Sequence, residues 1–235
     1  MLLAFIAAYL VLSADIRRRG LQADAQNIVT ISALLGIAGA KIYHVLESPA
    51  DLRADPLGEL FSRSGFAWFG GFAGVLIALY LLARRYKFSY LTMLDLCSPA
   101  AALGYAVGRI GCLTSGDGDY GTPTSLPWGM SFPNGLVPTT QRVHPTPIYE
   151  AIAATLIFWY LWRVGSRSHR AGEVAGLYLI WMGVERFLIE FIRINPRSFF
   201  GLTNAQAASL ASICAGGLIL IAITKRSNEA QFGRS

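Results

Sequence analysis

Arg109 stands in the run Gly108-Arg109-Ile110-Gly111-Cys112, at the end of an apolar stretch that reads as a membrane-crossing helix. A guanidinium there is expensive to leave in hydrocarbon. On insertion scales an arginine at the bilayer centre costs roughly 2.5 to 3.5 kcal/mol, so it must face a partner, a watery cavity or a lipid phosphate. A second set of charges, Arg186, Glu190 and Arg193, follows i, i+4, i+7 spacing and so shares one helix face. Arg193 reaches the membrane surface, Arg186 lies about 10 Å deeper, and Arg109 lies about 6 Å below the same surface. A salt-bridge ladder would account for the second set taken by itself. With Arg109 at similar depth, however, two arginines flank one carboxylate and leave positive charge over. Arginine binds phosphate bidentately and keeps its charge when desolvated, so the pattern suits the phosphodiester of an outer-leaflet phospholipid, to be bound, moved or cleaved. Cleavage at a glyceryl carbon would further need stabilisation of the leaving phosphate and an activated nucleophile.

The elements that must position these residues are membrane helices. Of the 235 residues 54% are hydrophobic and 14% charged, too apolar for a soluble domain. The net charge of +6 belongs to clusters. Arg17, Arg18 and Arg19; Arg84, Arg85 and Lys87; Arg163, Arg167 and Arg170; and Lys225, Arg226 and Arg234 each close every second apolar stretch. That is the positive-inside pattern, and clusters separated by bilayer-length segments argue against nucleic-acid binding. The expected architecture is an all-α integral membrane protein, one domain over residues 1–235. It has about seven transmembrane helices, an outside N-terminus and a cytoplasmic C-terminus. The expected spans are Met1 to Ile16, Asn27 to Leu46, Phe66 to Ala83, Tyr90 to Leu113, Ala151 to Trp162, Glu173 to Arg193 and Thr203 to Thr224. The first has about 14 apolar residues, or about 21 Å against a core of roughly 30 Å, so the N-terminus is expected to be incomplete. Gly36, Gly39 and Ala40, and Gly70 with Gly74, offer small-residue faces for close helix packing. The tail through Ser235 is expected to be loose, and the loop from Glu47 to Gly65 solvated and irregular.

An external loop at about 114–145 is dense in Gly, Pro, Asp and Thr, a length uncommon unless functional or disordered. Asp117-Gly118-Asp119 has the form of a cation site, but so common a pattern does not carry one. Pro127-Trp128-Gly129-Met130 suits a structured segment at the interface. Tyr149 and Glu150 are expected to start the following helix, Glu150 serving either its positive N-terminal end or the site. Cys97, Cys112 and Cys214 form no CxxC and no even-numbered framework, which leaves packing as their role.

The run from Gly108 to Cys112, continued through Gly116, Tyr120-Gly121-Thr122-Pro123-Thr124 and Pro127-Trp128-Gly129, resembles the signature of the bacterial prolipoprotein diacylglyceryl transferases. So do Asp95 and Pro99 before it, His144-Pro145-Thr146-Pro147-Ile148-Tyr149-Glu150 after it, and Arg186 through Arg193. The resemblance covers nearly the whole chain in order. It implies a multi-pass enzyme of the bacterial cytoplasmic (inner) membrane that uses no cofactor or metal. Its partners would be phosphatidylglycerol, preprolipoprotein signal peptides with a lipobox cysteine, and membrane lipids. It implies transfer of a diacylglyceryl group from phosphatidylglycerol to the lipobox thiol, with release of glycerol phosphate. Arg109 matches the arginine that binds the headgroup and Arg186 the second essential arginine, both catalytic as well as substrate-binding, with Glu190 and Arg193 orienting Arg186 and with Gly108 and Tyr149 in the same binding set. The chain departs from the pattern at Phe69, where many members have His, at Met182, where Tyr is common, and at Cys112, where many have Asn. With the usual ring nitrogen missing, His144 and Asp117 are the candidate bases, or the cationic field lowers the thiol pKa itself. The alternative is a non-catalytic protein of the same fold that binds or moves phospholipid.

Overall fold

A computed structural model of the chain describes residues 2–47, 49, 67–197 and 201–232. The expected irregular loop from Glu47 to Gly65 lies, but for its first residues, outside them. The described elements are α1 (Leu2–Arg19), α2 (Ala25–Glu47), α3 (Trp68–Tyr86), α4 (Tyr90–Ser115), β1 (Met130–Phe132), β2 (Thr139–Val143), α5 (Thr146–Gly165), α6 (Glu173–Ile189) and α7 (Asn204–Phe232). Four of them, α2, α3, α4 and residues Asn204–Lys225 of α7, are long and apolar enough to cross a membrane. The protein is thus a multi-pass membrane protein, and its described residues are helical apart from loops and one short antiparallel hairpin, β1 with β2, inside the long loop.

The chain divides into two compact units, Ser13–Met93 and the combination of Met1–Leu12 with Leu94–Ser235. In the first, α2 and α3 approach backbone to backbone. A Cβ on Gly39 would fall on the Gly70 carbonyl, and one on Gly74 on the Leu35 carbonyl, so the small residues marked in the sequence form this contact. Such an approach replaces the hydrophobic drive, which lipid does not supply, with dispersion between close backbones.

The second unit holds every residue of the candidate site. Ala102 of α4, Ile157 and Leu161 of α5 and Val174 of α6 make a buried cluster, with Met182 packed against it. Met182 therefore serves as core here, while Phe69, in the other unit, is more than half exposed with its ring edge against Trp68, 5.3 Å between centroids.

Asp95 ties α4 to the start of α6. Its carboxylate, 1% exposed, accepts hydrogen bonds from the backbone N–H of Gly172 (2.7 Å) and Ala175 (2.8 Å), donors that a helix start leaves without internal partners. Gly172 holds φ at 99°, which glycine adopts without strain.

Three boundaries differ from the sequence expectation. Helix α5 begins at Thr146 with Pro in its first turn, so Glu150 lies in the second turn rather than at the helix start. Helix α6 ends at Ile189, because the chain turns out of the helix to pair Gly121 with Arg193, and Thr122 N donates to Ile192 O at 2.8 Å. Helix α7 runs on to Phe232, where a loose tail was expected, since neither Gly nor Pro follows Thr224 until Gly233. Thr203 and Gln206 start α7 with a reciprocal capping box, both bonds 3.1 Å.

Replacing Asp95 by Ala is expected to strip two buried N–H groups of their acceptor, at roughly 1 to 3 kcal/mol each. Asp95→Ala should lower the thermal unfolding midpoint in detergent by several degrees, and an unchanged midpoint would refute the capping role.

Candidate active site

Glu150 is the centre of the site. It is fully buried, and its Oε1 accepts the Tyr105 hydroxyl at 3.0 Å and Arg186 Nη1 at 3.0 Å, with Arg109 Nη2 at 3.1 Å. Its Oε2 lies 3.5 Å from Arg193 Nη1. One carboxylate of α5 thus gathers guanidinium groups from α4, from α6 and from the turn after α6. The ring of Tyr105, one helical turn before Arg109, lies beneath the Arg109 guanidinium, 5.0 Å from its centre.

Glu190 and Asp119 complete the network. Glu190 Oε2 is 2.9 Å from Arg186 Nη2 and 3.8 Å from Arg193 Nε, and Asn195 Nδ2 donates to its Oε1 at 2.6 Å. Asp119, in the loop, pairs with Arg109 through one oxygen and with Arg193 through the other. Arg186, Glu190 and Arg193 do meet, although Arg193 arrives from the turn and not from the helix face.

The expected positive surplus is corrected by these contacts. Three guanidinium groups, Arg109, Arg186 and Arg193, face three carboxylates, Asp119, Glu150 and Glu190. Spacing along one helix counts only that helix's charges, and two of the three carboxylates come from elsewhere. Burying so many charges is tolerable only with this mutual pairing.

The loop is held over the cluster by backbone as well as by charge. Gly121 N donates to His144 O (2.8 Å), His144 N to Thr122 O (3.1 Å), and Thr146 Oγ1 to Asp119 O (2.5 Å). His144 Nδ1 lies 3.3 Å from the Tyr149 hydroxyl, which also accepts Trp128 Nε1 at 2.7 Å. His144 and Tyr149 therefore form a rim with Trp128. Gly108, by contrast, is open, since a Cβ there would meet nothing within 4 Å.

Cys112 Sγ and the carboxylates of Asp117 and Asp119 come within 4.8 Å of one another, and Arg109 Nη1 is 3.8 Å from Cys112 Sγ. Asp119 has both oxygens on arginines, so this group reads as the edge of the charge network. Spacing along the chain reveals neither Asp119 as a partner of the arginines nor Glu150 as their centre. For Tyr105 a signal exists, in its i, i+4 relation to Arg109.

A model of the prolipoprotein diacylglyceryl transferase family matches residues 1–222. The chain belongs to that family. It is 33% identical over 217 residues to the phosphatidylglycerol–prolipoprotein diacylglyceryl transferase of Clostridium tetani, covering 91% of this chain and 87% of that one. With the protein of the same name from Geobacter sulfurreducens it shares 33% over 231 residues, 95% of this chain and 86% of the other. The Polynucleobacter necessarius protein of that name is 37% identical over 176 residues, 73% of this chain and 65% of the other.

Two outcomes follow from the network of this family member. Burial pushes the Asp119 carboxyl up, but Arg193 and Arg109 outweigh it and hold the group below its ordinary value of 3.8. A lowered folded-state pKa stabilises above the unfolded value and is lost as pH falls through the folded one. The loop should therefore stay protected from protease between about pH 7 and pH 5 and open only below about pH 3.8, whereas Asp119→Asn should open it at pH 7. Replacing Glu150 by Gln removes the charge that three arginines share. Truncating a buried ion pair costs roughly 3 to 5 kcal/mol, so Glu150→Gln should lower the unfolding midpoint more than Asp119→Asn does.

Proposed function

We propose that this protein transfers the diacylglyceryl group of phosphatidylglycerol to the lipobox cysteine thiol of preprolipoproteins, forming a thioether and releasing glycerol phosphate. The observation that carries this is the convergence of Arg109, Arg186 and Arg193 on buried Glu150, in a family whose members bear that activity in their names. The relatives' names give no support to the non-catalytic alternative.

Arg109 and Arg186 hold the phosphodiester. Asp119 is the carboxylate that gives way, since its side chain is 32% exposed and rides on a loop, whereas Glu150 is fully buried between helices. Exchanging Asp119 for phosphate keeps the charges matched and places a bidentate acceptor against Arg109. Glu190 and Arg193 orient the two arginines, and the open face at Gly108 leaves room for the headgroup. His144, Tyr149 and Asp117 at the rim are positioned to meet the headgroup hydroxyls. As the phosphate departs, the guanidinium groups stabilise the charge that develops on it, the larger share of such a rate enhancement.

The membrane arrangement we infer is seven spans, N-terminus outside and C-terminus cytoplasmic, in the bacterial inner membrane. The supporting observation is the alternation of basic clusters, and in this arrangement the arginine site lies at the outer surface, where phospholipid and exported polypeptide meet.

The test is complementation of a strain depleted of its own transferase, with mass spectrometry of a reporter lipoprotein. Wild type should add a diacylglyceryl group to the cysteine, and Arg109→Ala and Arg186→Lys should each reduce that by about a hundredfold or more. A bare cysteine beside intact phosphatidylglycerol binding in the wild type would replace the transferase by the lipid-binding reading.

A further inference from the structure

Attack by a thiol on a glyceryl carbon needs somewhere for the thiol proton to go. Glu150 and Glu190 are poorly suited, since both are buried in ion pairs with arginines, and a carboxylate so held gives up its lone pairs only at cost. Glu185 is different. It lies on α6, next to Arg186, with 6% of its surface exposed, and neither carboxylate oxygen has a hydrogen-bond partner among the described residues. A buried carboxyl left without donors costs free energy, so its presence asks for a function.

Glu185 lines a groove of about 450 Å³ between α5 and α6, whose walls include Ala153, Leu156 and Tyr160 of α5 and Trp181, Val184 and Leu188 of α6. Leu156 and Leu188 are 64% and 60% exposed, so the groove faces lipid. The spacing on both helices is i, i+3, i+7, and the α5 stripe continues directly back to Glu150. The groups around Glu185 are Glu150 of α5, Arg186 of its own helix, Tyr105 and Arg109 of α4, and Arg193 beyond the end of α6. Glu185 thus stands where an apolar groove meets the arginine cluster. In a phospholipid the glyceryl carbon that bears the phosphate ester lies on the acyl-chain side of the phosphate. A phosphate held on Arg109 and Arg186 with its acyl chains in the groove turns that carbon toward Glu185.

We propose that Glu185 is the proton acceptor of the transfer, taking the proton of a thiol that reaches it through the groove. The proton passes from sulfur to the Glu185 carboxylate as the S–C bond forms. The C–O bond breaks, and its electron pair leaves with the phosphate of glycerol phosphate. The protonated carboxyl then returns its proton to that phosphate, leaving Glu185 ready again. This rests on the transferase reading and adds the base that Phe69 does not supply.

The experiment uses the full-length protein in phosphatidylglycerol nanodiscs with a synthetic lipobox peptide, measuring thioether formation by mass spectrometry from about pH 6 to pH 9. Glu185→Gln should lower turnover by about a hundredfold or more at neutral pH while phosphatidylglycerol binding stays within about twofold. Its deficit should narrow as pH rises, because the thiol, with a pKa of about 8.5, ionises unaided. Glu185→Asp should keep intermediate turnover with the wild-type pH profile, and it is read alone if the Gln variant does not accumulate. Turnover of Glu185→Gln within about threefold of wild type overturns the proposal. So does a pH-independent loss accompanied by weakened lipid binding, or wild-type turnover in Glu185→Asp with an altered profile, or the narrowing deficit appearing instead in His144→Gln or Asp117→Asn. An inactive wild type sinks the transferase reading itself, whereas an active wild type with an unaffected Glu185→Gln sinks only the base.

Discussion

A fully buried carboxylate, Glu150, holds the site together. Isolated in a medium of low dielectric it would be prohibitively costly, and so would each of the arginines around it. Together they cancel most of that cost, and the geometry that cancels it also fixes where three helical segments meet. Tyr105 brings α4 to the same oxygen that Arg186 reaches from α6. The charge network is therefore the joint between elements and, in the proposed function, also the instrument of recognition. The same pairing limits it, because a phosphate can enter only where a carboxylate leaves.

Asp119 is the carboxylate fitted for that. It rides on the loop that covers the cluster, while Glu150 and Glu190 are locked against helices. In the proposed function, substrate binding and loop position are linked, because the phosphate replaces on Arg109 a carboxylate that also holds the loop to Arg193. A hairpin and a few backbone hydrogen bonds keep the loop near its place without fixing Asp119 irrevocably, which suits a group that must yield and return.

Around the site the bilayer dictates how helices are joined. With no hydrophobic drive between segments in lipid, α2 and α3 rely on the close approach that Gly39, Gly70 and Gly74 permit. Helix α6 starts on Asp95, whose carboxylate satisfies N–H groups that hydrocarbon would leave bare. Where the family pattern offers an aromatic at Met182, this chain packs a thioether against the core. Glu185 sets a further buried carboxyl beside Arg186.

The sequence by itself determined the membrane class, the helices and their order, because hydropathy, glycine spacing and basic clusters are local properties that the bilayer reads directly. It also marked Arg109, Arg186, Glu190 and Arg193 as charges that packing does not explain. Helix ends were less legible. The early start of α5 and the early end of α6 depend on a proline turn and on pairing between Gly121 and Arg193, far apart in the chain. Only the tertiary structure decided the charge balance. Glu150 lies 41 residues after Arg109 and 36 before Arg186, and no periodicity links them. That they share one oxygen follows from helix packing, as does the seating of Asp119 across two arginines and of Glu185 at the head of an apolar groove. Electrostatics in a membrane is settled by which charges touch, and contact is a property of the fold.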